Sequence, residues 1–131
     1  MGTWNRIKDY ISTAFEVMNS SSSNILSLQV ELEGRGSKGI LIRKCWDTDS
    51  DDICVEFSSR INDANKYNIY ELLCAASKYN SGGLIVVNNE FVIYRNTAIF
   101  TSDLTDFESC CDFYVREIAT IAFDLWQMIS D

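Results

Sequence analysis

Residues 25–33, ILSLQVELE, alternate without a break: Leu26, Leu28, Val30 and Leu32 fall on one side, Ser27, Gln29, Glu31 and Glu33 on the other. Successive side chains of a strand point to opposite faces, so the pattern predicts a strand with one buried and one polar face. Such a strand needs partners in a sheet and an apolar layer against one side. The flanking sequence has to supply both.

Upstream, Thr3 stands where it caps a helix whose face is Trp4, Ile7, Ile11, Ala14, Phe15 and Met18, and the polar run NSSSSN at 19–24 ends it. Downstream, GRGSKG holds Gly34, Gly36 and Gly39, which spells the G-x-G-x-x-G of nucleotide sites. That motif needs a helix starting at the glycines so that its amides face a pyrophosphate, whereas ILIRKCW, a strand pattern, follows here. The glycines therefore read as a hairpin turn.

The next join is CWDTDSDDICVEF at 45–57. Asp47, Asp49 and Asp51 alternate as calcium ligands do, but the sixth place holds Asp52 instead of glycine and the twelfth holds Ser58 instead of a bidentate glutamate. With ILIRKCW before it and ICVEFSS after it, the stretch 47–52 reads as a solvated hairpin tip, the alternative being a weak cation site.

Asn68, with Glu71 three residues on and a Tyr67 to Leu72 staple, opens a second helix through Ile69, Leu72, Leu73 and Ala76, which Asn80, Gly82 and Gly83 end. LIVVNNEFVIYRN reads as two strands around an NNE turn, and AIFT as a short third. Thr105 and Glu108 form a capping box ahead of a last helix along Phe107, Cys111, Tyr114, Ile118, Ala122, Leu125 and Ile129. Phe113, Ile121, Phe123, Trp126 and Met128 lie off that face, so this helix is expected to be covered on several sides, by its own domain or by another chain. The sum is one α+β domain over 1–131: helix, three strands, helix, two or three strands, helix, with a mainly antiparallel sheet packed on helices.

Composition excludes several functions. The chain has no histidine, which removes histidine-dependent triads, cysteine–histidine nucleophiles and the commonest zinc ligand sets. Its formal charge of −8 repels phosphate backbones and anionic lipid, so neither nucleic acid nor membrane is an expected partner. No apolar run approaches the ~20 residues of a bilayer span, and the first fifteen residues do not have the form of a secretory signal, so the cytoplasm is expected. The cysteines Cys45, Cys54, Cys74, Cys110 and Cys111 form an odd set without CxxC spacing, and are expected to be reduced and buried as small hydrophobes. No enzyme activity, metal or cofactor is expected. Glu90, Asp103 and Asp106 cluster in sequence as acid–base candidates, but turn solvation and helix capping account for them.

The order of elements resembles that of the small type III secretion chaperones of bacteria and of the YbjN-like proteins that share their fold. The stretches YELLCAASKYNSGGLIVVNNEFVIYRNTAIF and LTDFESCCDFYVREIATIAFDLW carry the resemblance, as patterns of apolar spacing and turns. It implies a homodimer packed through the middle helix and adjoining strands, holding a secreted protein's N-terminal region in extended form. The partner contacts would then be Trp4, Ile7, Ile11 and Phe15 on helix one with Leu26, Leu28 and Val30 on the sheet, and the dimer contacts Ile69, Leu72, Leu73 and Val87. A monomeric core would use these same residues. The alternatives are a YbjN-like regulatory role or an acidic immunity protein that blocks a basic toxin with the aspartate tip, Glu31, Glu33 and Glu56.

Overall fold

The computed structural model describes residues 2–18, 23–45, 52–63 and 68–130. Its elements are α1 (Thr3–Ala14), β1 (Val17–Met18), β2 (Ile25–Leu32), β3 (Gly36–Lys44), β4 (Ile53–Asp63), α2 (Ile69–Ala76), β5 (Gly83–Val87), β6 (Phe91–Phe100) and α3 (Thr105–Ser130). The strands form one six-stranded sheet in the order β1-β2-β3-β4-β6-β5, antiparallel throughout. The fold is α+β, with the expected order of helices and strands.

Two boundaries differ from expectation. Helix α1 stops at Ala14, and Val17–Met18 turns back as a short strand on Leu28 and Ser27. Phe15 keeps helical spacing and closes the helix, its amide donating to the Ile11 carbonyl at 2.9 Å, while Val17 and Met18 satisfy their backbone on the edge of β2. Strand β6 runs unbroken from Phe91 to Phe100, so AIFT continues it and forms no third strand.

The turns behave as their residues require. Gly34 and Gly36 have φ of 73° and 87° in the β2–β3 turn, and the Arg35 amide donates to the Leu32 carbonyl at 2.9 Å. Asn88 and Asn89 both take positive φ in the three-residue connection between β5 and β6, a backbone region that asparagine tolerates. The acidic tip at 47–51, the connector at 19–22 and the Tyr67 staple lie outside the described residues.

Asn68 caps α2 as expected, its Oδ1 accepting from the amides of Tyr70 at 2.9 Å and Glu71 at 3.3 Å. Asn68→Ala is expected to lower stability by about 1 kcal/mol, read as a shift in the urea midpoint. The start of α3 differs in its cap: the Asp103 carboxylate accepts from the Thr105 amide at 3.1 Å and its hydroxyl at 2.7 Å. Those bonds, foremost the one from the Thr105 hydroxyl, hold the Asp103 carboxyl below its ordinary range.

All three helices lie on one side of the sheet. There Leu28, Val30, Ile40, Ile42, Val55 and Phe57 meet Ile7 and Ile11 of α1, Leu72 of α2, and Phe107, Val115 and Ile118 of α3 in a single core. Aromatic contacts tie the layers: Tyr10 of α1 meets Phe107 of α3 edge-on at 5.4 Å, and Tyr79 meets Tyr94 at 6.0 Å. Trp4 is buried with its indole N–H donating to the Ser23 carbonyl at 2.9 Å.

Candidate functional site

Alternation that buries one side of a strand exposes the other, and among the described residues no helix covers that second side of the sheet. The registers place the residues of this bare face opposite one another: Ser27 and Leu41, Arg43 and Glu56, Cys54 and Ile99, Ser58 and Arg95, Ile85 and Ile93, Val87 and Phe91. Leu41 is 47% exposed and Ile99 61%, while Ile85, Val87, Phe91 and Ile93 are half-buried. A depression of about 280 Å³ opens there, its lining including Ser27, Gly39, Leu41, Ser58, Phe91 and Ile93.

The face has a charged centre. Glu56 is only 6% exposed, and its two carboxylate oxygens accept from Arg43 Nε at 2.8 Å and Arg95 Nη1 at 3.1 Å. Burial alone would raise this carboxyl, but the hydrogen bonds and charges of the two guanidinium groups outweigh it and hold Glu56 below the usual carboxylate range. Nearby, Arg60 pairs with Asp63 and lies over the Phe91 ring at 4.7 Å. Arginine stems and aliphatic side chains thus share one surface, the mixture that suits contact with another polypeptide.

A second apolar area adjoins the far edge. Strand β5, GLIVV, is an outer strand with no lysine, proline or charge along it, and such edges are commonly guarded by one of these. Helix α2 packs beside it and turns Tyr70, 74% exposed, and Leu73, 51% exposed, outward. Along α3 a groove of about 630 Å³ runs between Tyr79, Phe113 and Ile121, rimmed by the Asp112–Arg116 ion pair.

The residues expected at the partner contact lie mostly inside the chain's own core. Trp4, Ile7, Ile11, Leu26, Leu28 and Val30 are all buried in the core, and Phe15 is half-buried against it. The six buried residues belong to the helix-facing side of the domain. Of the expected dimer contacts, Leu72 is likewise enclosed, Ile69 and Val87 are half-buried, and Leu73 is open. Glu56 is enclosed by its arginines, which removes it from a toxin-facing acidic surface, while Glu31 and Glu33 are exposed.

The cysteines also depart from expectation. Only Cys111 is buried, and burial pushes its thiol up to about 12. Cys45, Cys54 and Cys110 are half-buried and Cys74 is exposed. Glu90 sits exposed on the β5–β6 turn while Asp103 caps α3. Among the described residues no three Cys, Asp or Glu side chains gather as a metal site, and no helix is long and apolar enough to cross a membrane.

No protein-family model matches the chain, and no curated protein matches it at a significant level.

Proposed function

We propose that the domain is a non-enzymatic protein-binding module, resembling a secretion chaperone, which dimerises and holds an extended segment of a partner protein. The observation that carries this reading is the bare sheet face, where Leu41 and Ile99 stand exposed around the Arg43–Glu56–Arg95 centre. An extended segment fits such a face because its side chains alternate as those of the sheet do, and arginine stems cover apolar groups while their heads stay wet. The same reading assigns the dimer contact to α2 and β5, where Tyr70, Leu73 and an unguarded strand edge adjoin. A cytoplasmic setting belongs to this proposal, supported by the free cysteines and the net charge of −8.

The test separates the two surfaces. By light scattering the wild type is expected at about twice the 14.9 kDa chain mass, and Leu73→Asp at the single mass with an unchanged circular dichroism spectrum. Suppression of the aggregation of a reduced, carboxymethylated, permanently unfolded protein is expected from the wild type and lost in Leu41→Asp combined with Ile99→Asp. Surface changes of this kind cost the fold within about 0.5 kcal/mol. A wild type that is monomeric at every concentration overturns the dimer, and suppression untouched by the double variant overturns the sheet-face site.

A further inference from the structure

Cys45 and Cys54 face each other at the end of the β3–β4 ladder. The register pairs Lys44 with Val55; carried one residue further it sets Cys45 opposite Cys54, and the Cys45 amide donates to the Cys54 carbonyl at 2.9 Å. Directly opposed residues that share backbone hydrogen bonds in antiparallel strands have Cα atoms about 5.5 Å apart. Disulfides span Cα separations of roughly 4.4–6.8 Å. Cys45 Sγ lies 3.9 Å from the Arg43 carbonyl. Both cysteines are half-buried, so a small reagent reaches them, in contrast to the enclosed Cys111.

We propose that Cys45 and Cys54 are a redox pair that closes into an intrachain disulfide across β3 and β4 when the protein meets a small-molecule disulfide of the glutathione type. One protein thiolate attacks a sulfur of the small disulfide, forming a mixed disulfide and releasing one small thiol. The second protein thiolate then attacks the protein sulfur of that mixed disulfide, forming the Sγ–Sγ bond and releasing a second small thiol. The protein dithiol loses two electrons, the small disulfide gains them, and the two protons from the protein thiols end on the two released thiols.

Burial, reinforced by the neighbouring Cys54 thiol, pushes the Cys45 thiol up to about 11. It is therefore protonated at neutral pH, which suits it to the second, intramolecular attack, where proximity compensates for a small thiolate fraction. Closure is expected to quicken as pH rises. The new bond ties together the two ends of residues 46–53, the stretch that carries Asp47, Asp49, Asp51 and Asp52. A partly exposed disulfide at the end of a ladder belongs to the labile class, so reduced glutathione is expected to reopen it. This proposal is independent of the partner-binding reading.

The test is peptide mapping after incubation of the full chain with oxidised glutathione, alkylation of remaining thiols and digestion without reductant. The expected result is a linked peptide joining Cys45 to Cys54 and its reversal by reduced glutathione, with Cys74 and Cys110 recovered as free thiols or as glutathione adducts. Cys45→Ser or Cys54→Ser is expected to abolish the linked peptide and leave the surviving thiol as a glutathione adduct. The mapping is decided on the wild type, with its circular dichroism spectrum checked before and after, so poor folding of either variant does not bear on the result. Recovery of Cys45 and Cys54 as free thiols, as two separate adducts, or linked to Cys74 or a second chain overturns the proposal.

Discussion

Phe57→Ala lowers the unfolding free energy by about 3–5 kcal/mol, read from urea denaturation followed by circular dichroism. Phe57 lies on β4 with its ring fully buried. It stacks on Tyr114 of α3 at 5.2 Å with the planes 10° apart, and meets Phe100 of β6 edge-on at 6.5 Å. Phe100 in turn touches Phe107 at 4.9 Å. Truncation therefore removes the buried ring and leaves a cavity between sheet and helix, and the two costs add because neighbours fixed by the sheet relax little. A loss below about 1 kcal/mol would mean that α3 does not lie on β4 as described.

Glu56→Gln lowers stability by about 2 kcal/mol near neutral pH and flattens the acid limb of the stability curve. The folded carboxyl lies below its unfolded value, so its contribution is fully present above the unfolded carboxyl's range of about 4.3 and is lost as pH falls through the folded value. The gap between wild type and variant is thus expected to close on acidification. The effect stays below that of a fully enclosed ion pair because Arg43 and Arg95 are each partly exposed, and water takes over some of what the carboxylate supplies. Parallel stability curves for the two proteins from neutral to acid pH would show that the arginines and Glu56 are not coupled.

Several elements are legible in the residues themselves. The alternation of Leu26 to Leu32, the Asn68 cap and the Asn88–Asn89 turn each follow from local chemistry that the tertiary fold does not override. The continuity of β6 is not, because Arg95, Asn96 and Thr97 interrupt its apolar run. What keeps those residues in the strand is remote in sequence: Arg95 finds Glu56 across the ladder, and Thr97 points to the bare face. The surface is harder to read for the same reason. Periodicity marks Trp4, Ile7, Leu28 and Val30 as apolar, but which apolar stripe is enclosed depends on where α1 and α3 settle. Leu41, Ile93 and Ile99 stand on the opposite parity from the core residues of their strands, and apolar residues on both parities of β3 and β6 are the one signal that points to the bare face.

The order of the sheet, with β6 between β4 and β5, sets a sequence of events during synthesis. The meander of β2, β3 and β4 can zip as soon as Asp63 is available, since each strand pairs with the one just made. The free edge of β4 has no partner until Phe91–Phe100 has been translated, and the part of the helix-facing side that α3 covers stays wet until Thr105–Ser130 follows. At about 5–20 residues per second, that interval lasts seconds. During it a nascent chain displays both an unpaired edge and part of the apolar side that later becomes its interior.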